Sequence, residues 1–328
     1  MLSNLSNMSE KVNGPILAVS AICILILLAV TGFMVYFSIR YSRRRNPVSS
    51  EVQGNALLEI AWTVLPTLIA FALFWYGWVG YKYMKDVPAD AMVVKVTGRQ
   101  WSWSHEYANG VTSPELNVPV GKPVRLNLHS TDVIHSYYIP AFKVKQDLVP
   151  GNDKLYLWFV ANKTGRYDVL CAEYCGLRHS AMHTYVNVMP QGKFDAWYKA
   201  EGEKVARMKA TLAAATKGAQ PAAATGEGAL VAVGRKLYEM KGCVACHSVD
   251  GSRLIGPSFK GIFGHTVTVL TAGHERSLQV DAAYIRKSII KPTDDIVKGY
   301  QPLMPSQQGI VTDSEINALV AYIKSLSK

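Results

Sequence analysis

The chain has 328 residues, 49% of them hydrophobic and 18% charged, with a formal net charge of +11. That length implies two or three domains, and the composition is too apolar for a disordered chain and lean in charge for a wholly soluble one. The charge is spread out: Lys and Arg exceed Asp and Glu by 4 over residues 1–85, by 2 over 86–200, by 1 over 201–228 and by 4 over 229–328. No segment forms the basic stripe that phosphate contact needs, so no nucleic-acid partner is expected.

Residues 14–39 form an uncharged run of 26 and residues 60–81 one of 22. At ~1.5 Å per helical residue each exceeds a hydrocarbon thickness of ~30 Å, which predicts two membrane spans, about 14–39 and 60–83, and contact with lipid. A cleaved signal fits the first run poorly: its apolar core is too long, and it ends in Arg40, Arg43, Arg44 and Arg45, a stop-transfer flank. Those arginines place the connecting loop in the cytoplasm and everything after the second span outside. Cys23 reads as a membrane cysteine, since Ile22 before it does not suit lipid attachment. Glu59, at the cytoplasmic start of the second span, is either a functional carboxylate or an interfacial one facing headgroups.

Over residues 91–190, alternating stretches such as Val124-Arg125-Leu126-Asn127-Leu128 are separated by Gly and Pro turns, the signature of a small β-sandwich. Near its end stand Cys171, Glu173, Cys175, His179 and Met182, with His135 on an earlier turn. Two thiols, two imidazoles and a thioether make a soft donor set. Cys₂His₂ is also a zinc combination, but Met182 and the sandwich setting favour copper, held by thiolate and imidazole with a weak Met ligand. A second cysteine four residues after the first lets two thiolates bridge two copper ions.

At these residues the chain resembles subunit II of the haem–copper cytochrome c oxidases, from Leu58-Glu59-Ile60-Ala61-Trp62 through Gln100-Trp101-Ser102-Trp103 and Asp132-Val133-Ile134-His135 to the cysteine loop. The resemblance implies a cupredoxin fold with a dinuclear copper centre. Cys171 and Cys175 would bridge, His135 and His179 would be terminal ligands, and Met182 and the main-chain carbonyl of Glu173 weak ones. It further implies that the Glu173 carboxylate reaches a magnesium site at the border with subunit I, that Glu59 lies near the mouth of a proton pathway, and that Trp101 admits electrons. A plain core or surface tryptophan is the alternative for Trp101. The aromatic run departs from the family pattern, which carries more tyrosine; here Ser102 and His105 stand beside Trp101 and Trp103.

Residues 211–228 are rich in small residues and lack a periodic apolar face, which predicts a flexible linker. Beyond it, Cys243-Val-Ala-Cys246-His247 is the haem c attachment signature: two thiols become thioethers and the histidine ligates iron. Met304, between Pro302 and Pro305, is the expected sixth ligand. Segments 229–241, 281–290 and 313–326 read as helices, the last capped by Thr312 or Asp313. This region resembles a class I cytochrome c domain, in which Gly256-Pro257 matches the loop whose carbonyl orients His247.

The expected architecture is a multidomain membrane protein. A two-helix transmembrane hairpin occupies residues 1–85, a β-sandwich cupredoxin domain 86–200, a helix end and linker 201–228, and an all-α class I cytochrome c domain 229–328. The expected function is that of subunit II of a bacterial oxidase in the plasma membrane, with its metal domains on the outer face. It would take electrons from an upstream cytochrome c or quinol-oxidising complex and pass them to subunit I, with subunit III as a further partner. Dioxygen would be reduced to water in subunit I with proton translocation. The rivals are a membrane-tethered electron carrier for another terminal reductase and a copper or zinc storage or delivery protein.

Overall fold

The computed structural model describes residues 4–48, 53–216 and 226–327. Helices α1 (Asn7–Arg40) and α2 (Ala56–Lys85) form the hairpin, and the most apolar window of each is unburied by protein along its length. Ser6 and Ser9 cap α1 reciprocally, and the Asn55 side chain accepts from the Leu57 and Leu58 amides at the start of α2. Pro66 sits inside α2 without ending it.

The outer domain is a two-sheet sandwich built from β1 (Met92–Arg99), β2 (Ser102–Tyr107), β3 (Thr112–Ser113), β4 (Leu116–Pro119), β5 (Pro123–Ser130), β6 (His135–Ile139), β7 (Val144–Leu148), β8 (Tyr156–Val160), β9 (Gly165–Cys171) and β10 (His183–Met189). One sheet runs β3-β2-β1-β5-β8 and the other β4-β10-β9-β6-β7. Alternation does the sorting: on β5, Val124, Leu126 and Leu128 are buried while Arg125 and Asn127 between them are not. The edge strand β8 is covered by the outer ends of both membrane helices. Asn7 Oδ1 accepts from the Val160 amide (2.7 Å), and Trp158 Nε1 donates to the Met84 carbonyl (3.0 Å). This cover closes an edge that would otherwise invite pairing and fixes the sandwich on its anchor.

Helix α3 (Gln191–Thr216) corrects the expectation of a flexible linker from residue 211. It is helical through Thr216, burying Phe194 and Val205 in the sandwich core and Leu212 in the core of the C-terminal domain. The alanine-rich stretch that reads as low complexity is also good helix-forming sequence. Helix α4 (Gly226–Met240) follows, so the other end of the expected linker is helical too; residues 217–225 lie outside the described residues.

In the C-terminal domain α4 packs on α6 (Asp313–Ser325), with α5 (Ala282–Ile290) alongside. The capping box of Thr312 with Glu315 starts α6, whose Ile316, Leu319, Tyr322 and Ile323 are buried. The domain is helical as expected and also carries a three-stranded sheet, β11 (Thr266–Thr271), β12 (His274–Gln279) and β13 (Ile296–Val297), ordered β12-β11-β13. The connecting pair Ala272 and Gly273 both have positive φ, 49° and 85°, as a tight two-residue hairpin turn requires. Asp295 ties the sheet down, its buried carboxylate meeting Arg276 (2.8 Å) and Lys287 (2.7 Å).

Candidate metal centre and haem crevice

His135 opens β6, Cys171 closes β9, and the loop between β9 and β10 carries Cys175, His179 and Met182. The fold brings their donor atoms together. The two sulfurs are 3.7 Å apart; His135 Nδ1 lies 3.9 Å from Cys171 Sγ, and His179 Nδ1 lies 3.6 Å from Cys175 Sγ. Met182 Sδ is 3.7 Å from Cys175 Sγ, and the Glu173 carbonyl is 3.3 Å from Cys171 Sγ. All but His179 and Glu173 are buried, and the Glu173 side chain is exposed. Sulfurs about 3.8 Å apart are what two ligands at ~2.3 Å on a tetrahedral metal present, so spacing alone admits zinc. The buried thioether beside Cys175 is a soft donor that suits copper.

Protonation follows from the surroundings. Burial opposes charge on both thiols, yet hydrogen bonds from His135 and the loop outweigh it at Cys171 and bring its pKa down to about 6. Burial and then the neighbouring Cys171 charge push Cys175 up to about 12. Two buried thiolates this close therefore need cations between them. Burial lowers the His135 pKa, but Asp132 and Cys171 more than reverse this, raising it to about 8. Asp132 Oδ1 accepts from His135 Nε2 at 2.8 Å, which leaves Nδ1 facing the sulfurs. Asp132 was not singled out in the sequence; its only signal is a carboxylate three residues before a candidate ligand.

Trp101 is buried, and its Nε1 donates to the Cys175 carbonyl (3.2 Å), as does Gln100 Nε2 (2.8 Å). Trp103 packs edge-on to both His135 and Tyr137. His105 is buried beneath them. Its Nδ1 donates to the Ser113 carbonyl (3.1 Å), so Nε2 accepts from the Tyr137 hydroxyl (2.8 Å).

The second site is a largely apolar cavity of about 1400 Å³, counted out to solvent, lined by Cys243, Cys246, His247 and Met304. Both cysteines are free thiols. His247 Nδ1 lies 2.8 Å from the Pro257 carbonyl. The carbonyl can only accept, so Nδ1 holds the proton and Nε2 is free to ligate. Burial lowers the pKa of this histidine and keeps it neutral. Its ring stacks on Phe259, centroids 4.5 Å apart. Gly256 leaves the room: a Cβ there would fall 2.4 Å from His247 Cε1. A flat apolar slot with two thiols, a neutral imidazole and a thioether on its walls fits a covalent haem.

The two sites meet. Arg99 and Gln100 of the sandwich line the cavity, Arg99 Nη1 donates to Gln307 Oε1 (2.6 Å), and Cys246, Ile255 and Leu303 pack against the sandwich core. Ser102 faces Gly242 closely enough that a Cβ on the glycine would lie 2.6 Å from its hydroxyl. Glu59 is elsewhere, exposed in the first turn of α2. It stands about 39 Å along the helix from Lys85, at ~1.5 Å per residue, on the side of the membrane away from the sandwich.

A soft sulfur–nitrogen cluster in a cupredoxin-type sandwich, carried on a membrane hairpin and joined to a cytochrome c fold, defines a membrane-anchored electron-transfer protein with an outer domain. Three family models match: "Cytochrome C oxidase subunit II, transmembrane domain" over residues 6–77, "Cytochrome C oxidase subunit II, periplasmic domain" over 111–189, and "Cytochrome c" over 231–327. Cytochrome c oxidase subunit 2 of Alkalihalophilus pseudofirmus is 29% identical over 320 residues, covering 93% of this chain and 85% of the relative. That of Thermostichus vulcanus is 33% identical over 228 residues, covering 52% and 69%. The periplasmic domain of subunit II from Bradyrhizobium japonicum is a similar solved structure, with 34% identity, TM-score 0.34, and coverage of 36% of this chain and 99% of that one. The chain belongs to the cytochrome c oxidase subunit II family and carries a C-terminal cytochrome c domain. It is thus an oxidoreductase subunit of the haem–copper type whose partner is subunit I.

Proposed function

We propose that this chain relays electrons from a donor outside the membrane, by way of its haem domain and then its copper domain, to subunit I, where dioxygen is reduced to water with proton translocation. When bound, a haem c and a dinuclear copper centre supply the one-electron carriers. In this reading Cys243 and Cys246 form the haem thioethers, and His247 and Met304 hold the iron. Cys171, Cys175, His135, His179, Met182 and the Glu173 carbonyl would hold the coppers. The exposed Glu173 carboxylate is free for a magnesium ion at the subunit I border, and Glu59 serves a proton pathway on the cytoplasmic side. The donor is an upstream cytochrome c or a quinol-oxidising complex, subunit III joins the assembly, and the membrane is the bacterial plasma membrane.

One observation carries the relay order. The segment Arg99-Gln100-Trp101 lines the haem cavity at one end and hydrogen-bonds the carbonyl of Cys175 at the other. Trp101 excludes water along that path by being buried, and Gln100 orients the cysteine loop. Asp132 holds His135 in the tautomer that ligates, and Pro257 does the same for His247. The domains in this reading are residues 1–85, 86–200 and 229–328, joined through α3.

Purification of the chain with its membrane partners tests this. The expected result is dioxygen uptake with two coppers and one covalent haem c per chain. Stoichiometric zinc after maturation in ample copper, or reduction of another terminal acceptor without dioxygen uptake, contradicts it.

A further inference from the structure

A lysine or arginine at the end of a membrane span is held at the level of the lipid headgroups, where phosphates are the abundant anions. The uncharged run of α2 ends at Tyr81, and Lys85 lies one turn beyond it. Phe74, Trp78, Tyr81 and Lys85 fall at i, i+4, i+7 and i+11, one face of the helix. The three rings stack in a row along that face, with centroids 6.4 Å apart for Phe74 and Trp78 and 5.8 Å for Trp78 and Tyr81, and all three are exposed. The Lys85 ammonium sits over the Tyr81 ring at 5.7 Å and over the Tyr156 ring of β8 at 5.3 Å. The Arg125 guanidinium meets Tyr156 as well, at 4.5 Å, so the two cations stand within about 10 Å of each other. The Tyr156 hydroxyl donates to the Lys85 carbonyl (3.2 Å), which fixes this corner between α2 and the sandwich. A ring face attracts a cation but carries no net charge. Among the described residues neither cation has a carboxylate within ion-pair distance, although Asp86 follows Lys85; the hydrogen bond from Arg125 goes to the neutral Asn127 oxygen (2.9 Å).

We propose that Lys85 and Arg125 bind the phosphate of an anionic phospholipid of the outer leaflet, whose acyl chain lies along the row of Phe74, Trp78 and Tyr81. Charge-assisted hydrogen bonds from an ammonium and a guanidinium then hold one phosphate between α2 and β5. The aromatic row decides between a lipid and free phosphate, because it leads from the cations into the hydrocarbon and offers a soluble anion nothing. The bound lipid fills the corner where α2 meets β8 and so stiffens the seat of the copper domain on its anchor. The inference rests on the hairpin spanning a bilayer and is independent of the electron relay, so absence of haem or copper would overturn the relay and leave it standing.

The test uses the full chain in its purified complex, placed in nanodiscs of phosphatidylcholine with a minor share of phosphatidylglycerol and then stripped in detergent. Mass spectrometry reads the ratio of the two lipids retained. The unaltered complex should retain phosphatidylglycerol preferentially. Lys85→Gln and Arg125→Gln should each cut that preference about fivefold, the worth of one cation at an anionic membrane surface. Lys85→Arg should keep it, as should Lys236→Gln, which removes an exposed lysine of α4. Trp78→Ala should also lower retention of phosphatidylglycerol, which a site for free phosphate would not. An unchanged preference in both glutamine variants overturns the proposal. Loss of the preference on adding inorganic phosphate, with Trp78→Ala behaving as the parent, assigns the cations to a soluble anion and overturns it as well. So does loss of subunit I from the glutamine variants with an unaltered lipid ratio, which assigns them to a protein partner. Should the variants fail to assemble, a photoactivatable phosphatidylglycerol should label the segments holding Lys85 or Tyr156 in the unaltered complex, and labelling only elsewhere overturns the proposal.

Discussion

Gly256→Ala probes the clamp on His247 directly. The added Cβ would lie 2.4 Å from Cε1, 2.8 Å from Nδ1 and 3.0 Å from Nε2, against an ordinary contact of 3.4 Å or more. The ring must therefore retreat by about 1 Å, and it is held from other sides. Its Nδ1 is bonded to Pro257 at 2.8 Å and its face stacks on Phe259. Moving by that amount stretches the Pro257 bond beyond hydrogen-bonding range. Loss of the bond costs about 1–1.5 kcal/mol and an off-rotamer ring about 0.5–1.5 kcal/mol, so the total of about 1.5–3 kcal/mol weakens iron ligation by about 10–150-fold. Visible and electron paramagnetic resonance spectra of the ferric haem in the purified chain should show a mixed or high-spin population that binds external ligands. Gly228→Ala is the control: nothing lies within 4 Å of a Cβ at that position in α4, and the change should be neutral or slightly stabilising. A Gly256→Ala protein with unaltered spectra and ligand exclusion would refute the clamp.

Three further outcomes follow from the same geometry. Asp132→Asn should cut copper affinity about 10–100-fold in chelator competition, because the amide must present its NH₂ to the donors of His135, Val133 or Gln100 now bonded there; equal affinity would show that the carboxylate does not orient His135. Gly234→Ala would put a Cβ 2.0 Å from the Ala318 carbonyl oxygen, forcing α4 and α6 apart and destabilising the haem domain by about 3 kcal/mol, the upper range for overpacking; thermal unfolding followed at the haem band measures it. His105 is neutral when buried, its pKa lowered from 6.5 to about 4 by desolvation. The unfolded state then binds the extra proton first, so stability is full above about pH 6.5 and falls as pH drops toward 4, by about 3 kcal/mol in all. Urea titrations from pH 7 to 4 should show this fall in the parent and a flatter profile in His105→Gln, and equal slopes would contradict it.

The donor set was legible in the sequence because metal and haem chemistry fix residue types at short spacings: Cys171 with Cys175, His179 and Met182, and Cys243 with Cys246 and His247. The membrane hairpin was legible because lipid demands length and apolarity together. The partners acting across the fold were not. Gln100 and Arg99 act on Cys175 and Gln307, 75 and 208 positions away, and no local pattern marks such pairs; Asp132 stands only three residues before His135, but a carboxylate at that spacing is too common to mark a site. Ala272-Gly273 is a weaker hairpin signal than Asn-Gly, which hid the β11–β12 hairpin. The stretch after Thr211 misled because alanine-rich sequence suits linker and helix alike, and only the packing of Leu212 decides between them. Ser102 lies against Gly242, where a larger side chain would hold the haem domain away.

That contact, with the α3 strut and the Arg99–Gln307 bond, makes the central claim one of intramolecular transfer between docked domains. Flash reduction of the haem in the purified, metal-loaded chain, followed by the copper absorbance over a range of dilutions and salt concentrations, tests it most directly. Haem reoxidation and copper reduction should share one first-order rate that does not change with enzyme concentration and changes little with salt, since packing rather than long-range attraction holds the sites together. A rate that scales with enzyme concentration would mean that electrons pass between molecules, and the proposed relay through Arg99-Gln100-Trp101 would be wrong.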